Sequence, residues 1–208
     1  MAENINARLE TFSDGIFAIA ITLLVIEVQV PTLKFVNSTA QLWTALGHNW
    51  PFYFSFLLSF ITIFISWVNH HLFFRLIDKS STKFIYANGF FLLSIILMPF
   101  ATMLLAEFFL TNYLAPAVII YSFITLLTDL GWIILAKIVL ATNTLATNKI
   151  SEKIIKRILK KSIIAAIIYA VCTILAFWFP LIIISILALI RSYYLYMNIK
   201  LNMEVSAF

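Results

Sequence analysis

The sequence predicts an all-α, polytopic membrane protein with six transmembrane helices per subunit, and three observations predict it. First, 63% of the 208 residues are hydrophobic and 11% are charged, with a mean hydropathy of +1.03. A water-facing domain carries about 25% charged residues, so most of this surface must face lipid. Second, the apolar residues fall in runs of about 20, the length that crosses roughly 30 Å of hydrocarbon as a helix. The runs lack the dyad alternation of a membrane β-barrel. Third, the cations lie between the runs, which is the signature of membrane topology.

Taken in order, the spans fall at 12–30, 51–74, 84–105, 113–136, 162–179 and 181–199. The first is preceded by Glu10 and interrupted by Asp14, and no small-x-small site follows Val30. It reads as a span and not as a cleaved leader. The second ends in Trp67, Asn69, His70 and His71, the third opens with Asn88, and the fourth holds Asp129. Before the fifth, Ile150, Ile154, Ile155, Ile158 and Leu159 alternate with Lys153, Lys156, Arg157, Lys160 and Lys161 at helical spacing. This is a basic amphipathic helix on the inner leaflet. The plain reading is a topological anchor; the sharper one is a regulatory lipid site. Spans five and six meet at Trp178-Phe179-Pro180, where proline ends a continuous helix, so a helical hairpin is expected. No soluble stretch interrupts the pattern, and residues 1–208 are expected to form a single membrane domain. Cys172, the lone cysteine, has no intrachain disulfide partner and packs as a small hydrophobe.

With the N-terminus in the cytoplasm, thirteen of the fourteen lysines and arginines fall on the inner side, Arg191 and Lys200 among them, and Lys34 alone falls outside. This positive-inside split predicts a multi-pass protein of the cell membrane with both termini cytoplasmic. The net charge of +5 is therefore a topology signal, and no nucleic-acid partner is expected.

Polar residues inside spans carry the functional signal, because unpaired charge in hydrocarbon is expensive. Projecting span one at 100° per residue puts Phe12, Ile16, Ile19, Thr22, Leu23, Ile26 and Val30 on one face, while Ser13 and Asp14 point away. By itself the stripe reads plainly as a lipid-facing or packing surface, and more sharply as a pore lining. Asp14 with Arg8, Trp67, His71 and Asn88 reads as a buried polar network that fixes helix positions, or more sharply as a proton pathway. His70, His71 and Asp14 could ligate a metal, but adjacent histidines project about 100° apart and no His-Glu-x-x-His spacing accompanies them. No metal, cofactor or catalytic activity is expected.

The stretch Arg8-x-x-x-Phe12-Ser13-Asp14, followed by Gly15-Ile16-Phe17-Ala18-Ile19-Ala20-Ile21-Thr22-Leu23-Leu24, resembles the signature of the transmembrane protein 175 family of potassium channels. Trp67-Val68-Asn69-His70-His71 resembles the end of that family's second helix, and Asn88 with Met98-Pro99-Phe100-Ala101-Thr102 resembles its third. The motif-level resemblance covers roughly the first half of the chain. It implies a six-helix repeat, a homotetramer in the lipid bilayer, and a first helix lining a central pore. Ile19 is implied as the hydrophobic constriction, continued outward by Leu23 and Ile26, with Thr22 at a position where a hydroxyl is proposed to contact ions. The set Arg8, Phe12, Ser13 and Asp14 is implied to be structural, packing span one on spans two and three. Gly15 stands where alanine or threonine is common, and suits close approach of a neighbour.

The implied function is a potassium-selective cation channel with potassium ions as its permeant partner. A carbonyl filter needs a glycine-rich loop, and neither Thr-Val-Gly-Tyr-Gly nor a re-entrant segment is present in the sequence. Rings of Ile19, Leu23 and Ile26 that close the pore by dewetting are the expected alternative. A proton-conducting channel and a secondary transporter are the competing readings. The inverted repeats and interrupted helices that mark a transporter are not evident.

Overall fold

The structure, a computed structural model, describes residues 6–31, 37–142 and 146–206, and for 197–206 the backbone alone. Lys34, the single outer cation, lies outside the described residues. The described residues form eight helices: α1 Ala7–Ile26, α2 Thr39–His48, α3 Trp50–Phe74, α4 Thr82–Ile96, α5 Met98–Phe108, α6 Leu114–Ala141, α7 Lys149–Leu175 and α8 Pro180–Ser206. The extended pairing among them is a single bridge between Ile77 and Ala146.

Local chemistry sets the helix ends. Ser38 and Ser81 accept from the backbone N–H groups of Gln41 and Phe84, and Asn148 accepts from both Ile150 and Ser151. Each satisfies donors that a helix start leaves open. Pro51 occupies the first turn of α3, where its missing N–H is harmless. The third predicted span appears as two helices, α4 and α5, divided at Leu97. Pro99 cannot donate to the carbonyl of Ile95, so the ladder is interrupted there, while Thr82–Phe108 remains long and apolar enough to cross a membrane as one unit.

Five helical segments have that length and apolarity, and Pro180–Tyr196 within α8 is a shorter apolar one. The predicted spans 12–30, 51–74, 84–105 and 113–136 match α1, α3, α4 with α5, and α6. Four details differ from the sequence reading. The stretch read as an outer loop contains α2. The basic segment 149–161 is continuous with the fifth span as α7, with Ile155 fully buried. Arg191, counted among the inner-side cations, lies within α8, 5.1 Å from the centre of the Tyr169 ring. The two legs joined at Pro180 do follow one another, but they pack little on each other. α7 leans on α6, and α8 leans on α3 and α6.

Without a hydrophobic drive between helices in lipid, packing and interhelical hydrogen bonds hold the bundle. Gly131 of α6 is one close approach: a methyl added there would meet Phe91 Cβ at 2.9 Å and its Cα at 3.0 Å. Hydroxyls supply the bonds. Thr102 of α5 donates to Ser59 of α3 at 2.6 Å, Ser59 donates to Tyr121 of α6 at 3.2 Å, and Thr128 of α6 donates to Ser94 of α4 at 3.0 Å. These contacts fix α3 to α6 as the frame on which α1 is mounted.

Candidate functional site

α1 has two unlike faces. Ser13, Phe17, Ala20 and Leu24 are its buried residues, at the spacing of one helical face, and that face rests on α3, α4 and α5. Polar side chains anchor it. Asp14 Oδ1 accepts the indole N–H of Trp67 at 2.9 Å. One turn earlier on α1, Glu10 Oε1 stands 3.0 Å from His71 Nδ1, and His71 lies one turn later on α3, as an antiparallel pair requires. The Trp67 and His71 rings stack with centroids 6.3 Å apart.

A second, fully buried chain of bonds lies behind this pair. His70 Nε2 is 2.9 Å from Asn88 Oδ1. Asn88 Nδ2 donates to Ser13 Oγ at 2.9 Å, and the Ser13 hydroxyl donates to the carbonyl of Leu9 at 2.8 Å. Asn88 thus uses its amide nitrogen on Ser13 and its oxygen on His70, which fixes the histidine proton on Nε2. Around the imidazole stand the rings of Phe74 at 4.5 Å, Phe17 at 5.4 Å and Phe91 at 5.5 Å. Buried polar groups in such a setting are costly unless paired, so the Ser13–Asn88–His70 chain positions α1, α3 and α4 together.

Of the polar residues singled out in the sequence, Ser13, Asp14, Trp67, His71 and Asn88 lie in these contacts. Arg8 and Phe12 do not. Both are exposed in the subunit, Phe12 at 59%, and Arg8 makes no hydrogen bond or ion pair among the described residues. The reason is helical phase: each lies about 100° or more from the Ser13 face and shares the side of Ile19. Sequence reasoning placed neither Glu10 nor His70 in the network. Glu10 is one turn from Asp14, and that spacing was the available signal.

The opposite face is bare. Ile19 is 61% exposed, Leu23 40% and Ile26 73%, with Thr22 exposed among them. The Thr22 hydroxyl donates to its own helix, to the carbonyl of Ile19 at 2.9 Å, so its oxygen is left as an acceptor. Among the described residues, a methyl built on Gly15 meets no neighbouring element within 4 Å; within the subunit the close approach is at Gly131. Beyond α1, Gln29 donates to Glu107 at 3.0 Å and Asn49 donates to the Gln29 carbonyl at 2.9 Å, so both ends of the helix are tied.

The fold and the unequal faces of α1 define a multi-pass helical membrane protein with one specialised span. The chain belongs to the TMEM175 family. A family model described as the endosomal/lysosomal potassium channel TMEM175 matches residues 8–99. A potassium channel of Chryseobacterium sp. is 30% identical over 179 residues, covering 86% of each chain. One from Chamaesiphon minutus is 45% identical over 115 residues, 55% of this chain and 56% of that one. The match to this last relative therefore spans about half of its length. The crystal structure of a lysosomal potassium-selective channel TMEM175 homolog from Chamaesiphon minutus superposes with a TM-score of 0.84 at 32% identity, covering 94% of this chain and 98% of that one. A cattle relative, 37% identical over 79 residues (36% of this chain, 16% of that one), is named an endosomal/lysosomal proton channel.

Proposed function

We propose that four copies of this chain form a potassium-selective channel in the cell membrane, with the bare face of α1 lining the pore and both termini in the cytoplasm. The observation that carries the reading is the division of α1. One face is tied to α3 and α4 by carboxylate, amide and hydroxyl contacts, and the other leaves Ile19, Leu23 and Ile26 exposed among the described residues. The bacterial relatives named potassium channels support it.

In this reading four Ile19 side chains close the pore by excluding water, with Leu23 and Ile26 as further rings outward. A narrow apolar ring expels water and so blocks hydrated ions; slight widening passes partly dehydrated cations. Potassium sheds water more readily than sodium and is favoured. The Thr22 oxygen, its proton committed to the Ile19 carbonyl, is an acceptor suited to a cation. Conduction is passive, and no side chain performs catalysis.

The test is ion flux from purified protein in liposomes under potassium, sodium and proton gradients. Passive flux that favours potassium supports the channel. Flux carried by protons alone would favour the activity named for the cattle relative. Saturating flux that needs a coupled counter-ion would replace the channel by a transporter.

A further inference from the structure

α7 and α8 are joined by a short turn yet splay apart, and between them, α3 and α6 lies a cavity of about 590 Å³. Its lining reaches the end of the bundle where α3 ends and α7 begins, at Arg75, Leu76 and Ile154. One face of α7 lines it with Ile154, Ile158, Lys161 and Tyr169, at helical spacing. Arg75 at the end of α3, Arg191 of α8 and Asp129 of α6 complete its charged groups. Three cations thus face one carboxylate.

Two polar atoms on this wall have no partner among the described residues. Tyr169 is 1% exposed, and its hydroxyl and Asp129 Oδ2 are both buried without a hydrogen-bond partner among the described residues. Arg191 stacks over the Tyr169 ring, and no carboxylate lies within 4 Å of its guanidinium among the described residues. Arg191 is half-buried, and a guanidinium withdrawn from water is normally met by a carboxylate or phosphate. The remainder of the wall is mixed: Ile65, Leu72 and Phe73 of α3 are apolar, with Ser66, Asn69, Thr128 and Ser162 among them.

We propose that this cavity holds an anionic phospholipid of the inner leaflet. Its phosphate is met by Arg75, Lys161 and Arg191, and an acyl chain lies along Ile154 and Ile158. Charge and shape decide the occupant. An excess of two positive charges selects an anion, and the apolar side chains beside it suit a chain that a soluble anion lacks. A basic pocket between spans on the inner side is the form that lipid headgroup sites take. The proposal concerns no residue of α1 and does not need the pore; its assignment to the inner leaflet rests on the orientation proposed above.

The test is native mass spectrometry of the delipidated protein in detergent, titrated with phosphatidylglycerol or with phosphatidylcholine of the same chains. Phosphatidylglycerol binds more tightly, and the double variant Arg75→Gln/Lys161→Gln weakens it about tenfold while phosphatidylcholine is unchanged. Both side chains are exposed, so the fold tolerates the change, and Arg75→Lys/Lys161→Arg retains binding. Lys153→Gln/Lys160→Gln removes the same charge from α7 outside the cavity and leaves affinity unaltered. Equal weakening by this control pair, or equal affinity for the two lipids, overturns the site. Displacement of the lipid by inorganic phosphate at equal concentration overturns the assignment to a lipid.

Discussion

Asp14 and Trp67 are joined by a hydrogen bond of 2.9 Å between α1 and α3, and the registers of the two helices follow from it. With Glu10 and His71 one turn away, it holds α1 by two antiparallel contacts on one side. The bare side of α1 is a consequence of that choice of register.

Removing the indole donor tests how much this contact contributes. Trp67→Phe keeps the ring and leaves a half-buried carboxylate without its partner, a loss of about 1–3 kcal/mol. The thermal unfolding midpoint in detergent is expected to fall. Adding Asp14→Leu to Trp67→Phe should lower it by less than the sum of the two single changes. A fully additive pair would mean that the bond contributes nothing.

Two helical glycines separate propensity from space. Gly131→Ala drives a methyl into Phe91, with contacts of 2.9–3.1 Å, and overpacking of this kind destabilises by about 1–3 kcal/mol. Gly89→Ala meets nothing within 4 Å and gains helix propensity of up to about 1 kcal/mol. Opposite signs are expected in thermal unfolding; a stabilising Gly131→Ala would contradict the close approach.

At the proposed constriction, Ile19→Asn introduces an amide that wets the apolar ring. Potassium flux into liposomes should rise several-fold, and sodium flux should rise with it. Unchanged flux in a folded variant removes Ile19 from the gate.

Thr22→Val keeps the shape and deletes the oxygen, while Thr22→Ser keeps the oxygen. If the hydroxyl assists dehydration of the ion, the valine variant loses potassium-over-sodium preference and the serine variant retains it. Reversal potentials in planar bilayers read the ratio directly. Equal preference in all three assigns selectivity to the apolar rings alone.

The spans were legible because hydropathy and span length are local properties of the chain. Span one's two faces were legible from its period. The partners were not. Trp67 and Asp14 lie 53 residues apart, and Asn88 and Ser13 lie 75 apart, so only tertiary register brings them together. Helical phase did carry Arg8 and Phe12 away from the network, and the projection that put Phe12 beside Ile19 already contained that answer. The short α2 escaped because ten residues with no buried side chain give no hydropathy signal. Arg191 falls within the predicted sixth span, but the sequence does not show the Tyr169 ring beside it.

The separation of 75 residues between Ser13 and Asn88 also bears on biogenesis. At about 5–20 residues per second of synthesis, span one waits roughly 4–15 s before the amide that pairs with its serine has been made. Until Trp67 and His71 follow, 53 and 61 residues after their partners, it carries Asp14 and Glu10 with no α3 to meet them. The nascent first span is therefore a weak membrane resident on its own, and its settled place in the bilayer is completed by helices that the ribosome has yet to deliver.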